Sequence, residues 1–155
     1  MRAMQKFKNY IDLLQDRKDF KMVKFIGFTN SNTGAPDIID CIIDNDVRIN
    51  KGEVYSISDG KVNLKGDSSE RLFVACEAHH PVYSNEYATV KGYIMYPGME
   101  FEVTYYTTNE TTVTIGSILE INLADGEFCV DPYGRFIVTN TLACDTYGAI
   151  RVKVI

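Results

Sequence analysis

The chain has 155 residues, with 16 Lys+Arg against 21 Asp+Glu, four Cys and no Trp. That length suits one domain or one domain with an appendage, and 45% hydrophobic with 24% charged residues is ordinary globular usage rather than disorder. A net charge of −5 argues against a general nucleic-acid coat, no uncharged stretch is long enough to span a bilayer, and the basic start has no apolar h-region after it, so neither a membrane span nor a secretory leader is expected.

The charge is unevenly spread. Residues 1–24 hold seven basic and three acidic residues (+4), and residues 25–155 hold nine basic and eighteen acidic (−9). A basic arm ahead of an acidic body marks an interaction tail, although the charged outer face of an amphipathic helix would give the same count. Within the arm Phe7, Tyr10, Ile11 and Leu14 fall at i, i+3, i+4 and i+7, one stripe of a helix, with Arg2, Lys6 and Lys8 among the residues around it. Basic residues in the first turn oppose the helix dipole and no capping residue introduces the segment, so packing must order this helix. The polar stretch Thr29 to Pro36 reads as a hinge, which divides the chain into a basic arm over 1–35 and a β-rich body over 36–155.

From Val23 onward the pattern is strand and turn, beginning with a short strand over Val23 to Phe28. The region Asp37 to Val47 carries Ile38, Ile39, Ile42, Ile43 and Val47 among Asp37, Asp40, Asp44 and Asp46, and predicts a strand or short helix with one buried side. Four carboxylates suggest calcium, but Arg48 stands where a third oxygen ligand is needed and the central glycine of an EF-hand loop is missing, which favours solvated charge.

Two hairpins are predicted with register. Asp59-Gly60 suits a type I′ turn that sets Ile57 opposite Val62 and Tyr55 opposite Leu64, with Ser56 and Asn63 on the other face. Asp125-Gly126 repeats the device, setting Leu123 opposite Phe128 and Ile121 opposite Val130. Further strands are predicted over 71–76, 87–95, 99–106, 111–115, 135–139 and 149–155, with a type II turn at Pro97-Gly98. Many short strands without intervening helices predict a mainly β fold: an antiparallel β-sandwich or small barrel with an N-terminal arm or short helix.

Chemistry-bearing motifs are few. Cys76 and His79 or His80 could supply two zinc ligands, with Cys129 or Cys144 completing the shell, or a thiol nucleophile and its base. No second paired half-motif exists, and the spacing fits free thiols, with Cys129 a small buried hydrophobe in its strand. No cofactor is expected. The aromatic distribution is more informative: Tyr83, Tyr87, Tyr93, Tyr96, Tyr105 and Tyr106 place six of the ten tyrosines in one 24-residue stretch. Tyr is favoured at protein contacts, and equally it suits half-buried strands.

The order of turns carries a resemblance. Lys51 to Val54, Ile57 to Val62, Gly66-Asp67 and Leu72 to Ala75, followed by Gly116 to Leu119 and the Asp125-Gly126 hairpin, resemble the β-module of small tailed-phage capsid decoration (cement) proteins. The basic arm departs from the short extended N-terminus of that family. The resemblance implies a non-enzymatic virion protein, made in the host cytoplasm, that binds an assembled capsid shell as a homo-oligomer, a trimer in particular, with neither nucleic acid nor membrane as partner. The partner-binding residues expected are Arg2, Lys6, Phe7, Lys8, Tyr10, Ile11 and Leu14 in the arm, and Tyr83, Tyr87, Tyr93, Tyr96, Tyr105 and Tyr106 in the body. Two other classes stay open: a free-standing ligand- or carbohydrate-binding β-module with a tyrosine-lined groove, and a small Cys/His metal or thiol enzyme.

Overall fold

A computed structural model describes residues 23–28, 34–63, 70–83, 86–103, 106–107, 113–124, 126–142 and 149–155. The described residues form strands and turns with no helix, and so none long and apolar enough to cross a membrane. The helix expected at Phe7 to Leu14 lies outside them.

Sandwich and barrel are both present. Five strands, β2 (Ile39–Asp44), β3 (Val54–Ser58), β4 (Lys61–Asn63), β5 (Arg71–Ala75) and β6 (Tyr87–Ile94), close a barrel in the order β2-β4-β3-β5-β6. The remaining seven are β1 (Val23–Phe28), β7 (Met99–Val103), β8 (Tyr106–Thr107), β9 (Ile118–Asn122), β10 (Glu127–Val130), β11 (Phe136–Leu142) and β12 (Ala149–Val154). They make a sheet in the order β1-β7-β12-β11-β9-β10-β8. From β1 in the sheet the described strands wind the barrel and return to the sheet. Of the arm expected over 1–35, the described strand β1 pairs with β7 of the sheet, and residues 29–33 of the expected hinge lie outside the described residues.

Period-2 alternation decides which side chains fill each core. Cys41, Ile43, Tyr55, Ile57, Val62, Phe73, Ala75 and Val90 point into the barrel. The alternate residues Val54, Leu72, Val74 and Tyr93 leave its wall and meet Phe101, Val103, Leu119, Phe128, Phe136 and Val152 of the sheet. β3 and β5 are thus buried on both faces, which explains their nearly continuous apolar runs. An aromatic cluster joins the modules: Tyr93 stacks on Phe101 with centroids 6.4 Å apart, and Phe25 meets both rings edge-on.

The first predicted hairpin forms in the stated register, with Ile57 opposite Val62 and Ser56 opposite Asn63. Both turn residues have positive φ, 52° at Asp59 and 75° at Gly60, as a type I′ turn demands. Ser56 faces away from the barrel interior, is fully buried, and donates its hydroxyl to the Asn63 carbonyl at 2.9 Å. The Pro97-Gly98 turn also forms, with Gly98 at φ 93° and the Met99 N–H on the Tyr96 carbonyl.

The second hairpin differs. Phe128 pairs with Ile121 and Val130 with Leu119, two residues from the expected register, so the faces are kept while the loop lengthens from two residues to four. The Asn122 side chain accepts the Ala124 N–H at 3.0 Å and starts the turn early. Cys129 consequently points to the opposite face from Phe128 and is half-buried, not a core residue. Of the strand expected over 111–115, the described part is instead a turn, in which the Ser117 hydroxyl accepts the Thr114 N–H.

The edge strand β1 is protected. It carries Lys24 and a bulge between Phe25 and Gly27, and both devices hinder edge-to-edge pairing.

Candidate functional site: an exposed face of the barrel

The outward residues of β2 are Asp40, Ile42 and Asp44, and those opposite on β6 are Lys91, Thr89 and Tyr87. β4 closes the barrel alongside, with Lys61 level with Ile42 and the Ile42 N–H on the Gly60 carbonyl at 3.0 Å. Among the described residues nothing of the sheet covers this part of the wall, and Asp40, Ile42, Asp44, Tyr87, Thr89 and Lys91 are all exposed. Further along, Tyr93 of β6 and Met95 just after it turn into the inter-module core.

The face has an ordered charge pattern. Lys61 Nζ lies 2.9 Å from Asp44 Oδ1, and Lys91 Nζ lies 3.0 Å from Asp40 Oδ1. Each carboxylate raises the pKa of its lysine by hydrogen bonding and charge. Lys61 also sits 5.2 Å from the centroid of the Tyr87 ring. The Lys91 N–H donates to Glu77 Oε1 at 2.8 Å. Between the ion pairs Ile42 is 44% exposed, and beside the Lys61–Asp44 pair Tyr87 is 69% exposed.

Val82 and Tyr83 extend this face. The Val82 N–H donates to the Asn45 carbonyl at 2.7 Å, which holds the segment beside the end of β2, and Val82 and Tyr83 are 51% and 98% exposed. At the other end, Ile38 and Ile39 are also exposed. A rigid strand face of branched aliphatic and tyrosine side chains, rimmed by Asp40, Asp44, Asp59, Glu77 and Glu86, is suited to protein contact: the aromatics supply area at low entropy cost and the charges fix orientation.

The tyrosines expected to form one surface are dispersed over the fold. Tyr83 and Tyr87 are on this face. Tyr93 is only 7% exposed and belongs to the core, where burial raises its phenol pKa, so it offers no partner a surface. Tyr96 is exposed beyond the far end of β6, nine residues or about 30 Å of strand from Tyr87. Tyr106 falls in the two-residue β8; Tyr105 lies outside the described residues, as do Arg2, Lys6, Phe7, Lys8, Tyr10, Ile11 and Leu14. The sequence reading missed Ile42, Lys61 and Val82.

Of the Cys/His candidates, Cys144 lies outside the described residues, and Cys76 and His79 are held by separate contacts. Cys76 packs against the inter-module core, and burial pushes its thiol pKa up, opposite to the activation a nucleophile needs; Lys51 counters this and Glu77 adds to it. His79 is held by its backbone to Ile49 and by its ring Nε2, 3.1 Å from the Asn45 carbonyl. Among the described residues no group of three or more His, Cys, Asp or Glu could hold a metal. The acidic cluster has the solvated character expected of it, with Asp37, Asp40, Asp44 and Asp46 all exposed.

At one end of the barrel, Tyr55 donates to Glu53 Oε2 at 2.7 Å and accepts the Asn50 N–H at 2.9 Å. Burial first, and then the neighbouring Glu53 carboxylate, push the Tyr55 phenol pKa up, with the Asn50 bond opposing them. The group braces the turn at Gly52, with the Tyr55 side chain buried and Glu53 and Asn50 half-buried. No family model, curated protein or solved structure matches the chain.

Proposed function

We propose that the chain is a non-enzymatic docking protein that binds and stabilises an assembled protein shell, after the manner of the tailed-phage decoration proteins it resembles, and that it acts at the virion surface as a homo-oligomer. The observation that carries this reading is the exposed β2–β6 face, where Ile42 stands between two ion pairs and Tyr87 beside one of them, with the exposed loop residues Val82 and Tyr83 next to the end of β2. A lone exposed aliphatic residue is ordinary, whereas a contiguous group with tyrosine and an acidic rim marks an interaction surface. Each copy would bury a modest area, and repetition over a lattice would turn weak contacts into firm attachment. The segment that carries the resemblance supplies β3, β4 and β5, of which β4 borders this face through Lys61 while β3 and β5 give Val54, Leu72 and Val74 to the inter-module core.

Co-sedimentation of the full chain with tailed-phage heads stripped of decoration protein tests the proposal. Saturable binding is expected, with at least a tenfold loss for Tyr87→Ala or Ile42→Asp, about 1.4 kcal/mol or more of contact energy. Both sites are exposed, so thermal stability should change by no more than about 0.5 kcal/mol. Absence of saturable binding, or equal binding by these variants, refutes the reading.

A further inference from the structure

The exposed barrel face carries a regular pattern along one strand. Asp40, Ile42 and Asp44 project from β2 at i, i+2 and i+4, so the two acidic positions stand about 13 Å apart with a branched aliphatic side chain midway. The lysines at the ends do not cancel the acids. At one end Lys91 Nζ meets Asp40 Oδ1 while the Lys91 N–H donates to Glu77 Oε1, which sets two carboxylates beside one ammonium. At the other end Lys61 Nζ meets Asp44 Oδ1, and Asp59 in the turn before Lys61 and Glu86 next to Tyr87 are exposed as well, three carboxylates to one ammonium. The row is therefore apolar at its centre and in excess of negative charge at both ends. A phosphate-bearing partner, whether nucleic acid or acidic lipid, is repelled at each end, which leaves protein as the partner class.

Strand faces that pack on one another keep their directions within about 30° and present side chains at the same period. The complement of acid, aliphatic, acid at that period is a cation, an apolar residue and a cation at i, i+2 and i+4 of an extended segment. The Asp44 end also favours arginine in particular. Tyr87 lies opposite Asp44, its ring is 69% exposed, and Lys61 Nζ already stands 5.2 Å from the ring centroid. A guanidinium placed there can both bridge the carboxylate and stack on the ring.

We infer that the β2–β6 face receives an extended strand of the shell protein whose exposed side reads cation, apolar, cation, the cations against Asp40 and Asp44 and the apolar side chain against Ile42. The inference rests on the reading of that face as the docking surface, and it specifies what docks there. The apolar centre supplies contact area, while the two charged ends fix register: a slip of two residues along β2 sets a cation on Ile42 and leaves one carboxylate facing an apolar group.

The test titrates the 15N-labelled full chain with a cyclised β-hairpin peptide that carries Arg-Thr-Leu-Thr-Arg on one strand. Saturable shift changes are expected at the amides of Ile42, Asp44 and Thr89. A hairpin carrying Glu-Thr-Leu-Thr-Glu should bind about tenfold more weakly or worse. Raising salt from about 0.1 M to about 1 M, which shortens screening from about 10 Å to about 3 Å, should weaken the arginine hairpin several-fold. Asp40→Asn with Asp44→Asn should weaken it about fivefold, and Asp59→Asn with Glu77→Gln, which leaves both ion pairs in place, about twofold. Equal binding of the acidic hairpin, affinity indifferent to salt, shifts centred elsewhere, or no binding overturn the inference. Co-sedimentation of the same variants with stripped phage heads separates the two readings. Shell binding that needs Tyr87 but is unmoved by Asp40→Asn with Asp44→Asn refutes the cation match alone, and cation-selective hairpin binding at this face without shell binding refutes the shell reading alone.

Discussion

Arg135 sits just before β11 and holds three parts of the molecule together. Its backbone N–H donates to Glu120 Oε2 at 2.8 Å, its Nε and Nη2 donate to Glu120 Oε1 at 2.9 and 2.5 Å, and its Nη1 donates to the Glu70 carbonyl at 2.8 Å. Glu120 belongs to β9 of the sheet, whereas Glu70 precedes β5 of the barrel, so one guanidinium spans the junction. The side chains are 30% and 15% exposed. Breaking a fully buried pair costs about 3–5 kcal/mol, because the remaining charge is left without compensation. With Arg135 partly solvated, about 2–3 kcal/mol is expected for Arg135→Ala. In a chain of this size that lowers Tm by roughly 5–10 °C. Lysine cannot reproduce the fork, and Arg135→Lys should recover less than half of the loss. Urea denaturation of Arg135→Ala, Glu120→Gln and the double variant measures the coupling, for which about 1.5–3 kcal/mol is expected. A loss under about 0.5 kcal/mol for Arg135→Ala, or additive single effects, would refute the role given to this residue.

Gly92 lies in β6 where a Cβ would run into the Phe73 ring and the Val74 carbonyl oxygen; Gly92→Ala should cost about 3 kcal/mol or more in urea denaturation, part of it restored by Phe73→Leu, and a neutral Gly92→Ala would contradict the packing. Burial keeps the Tyr55 and Tyr93 phenols protonated above the ordinary tyrosine range. The unfolded chain releases these protons near pH 10 while the folded one retains them, so stability present at neutral pH is lost as pH rises above about 10, by up to about 1.4 kcal/mol per pH unit for each tyrosine. Tyr55→Phe combined with Tyr93→Phe should flatten the fall of the urea midpoint between about pH 9.5 and 11.5, and an unchanged slope would show that these phenols are not what base titrates.

Legibility followed the strength of local chemistry. At Asp59-Gly60 both residues tolerate positive φ and both flanks alternate, so turn, register and face could all be read. At Asp125-Gly126 the same dipeptide misleads by two residues, because Asn122 bonds its own backbone and opens the loop sooner; alternation alone still fixes the faces. In β2 the run Ile38, Ile39, Ile42 and Ile43 reads as one buried side, yet only Ile43 is buried, and the other inward position is Cys41. The exposure of Ile42 follows from period 2 once the span is known to be a strand, and the unresolved choice between helix and strand concealed it. Tyr93 shows the opposite failure. A tyrosine is amphipathic enough for core or surface, and only the packing of β6 beneath the sheet decides between them. That five strands close on themselves while seven remain open depends on pairing between distant segments, which no local pattern encodes.

Among the described residues, closure of the barrel between β2 and β4 rests on one residue pair, Ile42 with Lys61, the Ile42 N–H on Gly60, and the exposed Lys61–Asp44 contact. Every other junction of the barrel is an antiparallel ladder of three or more pairs. The seam is accordingly the least cooperative line in the wall, the place where local opening admits water first. It also runs beneath the centre of the exposed face. Whatever rests on Ile42 and Lys61 together bridges the seam from outside, and by binding the closed form alone it must tighten the barrel as it binds. Attachment and barrel rigidity are in that sense one equilibrium, and a loosened seam would weaken docking without any contact residue being changed.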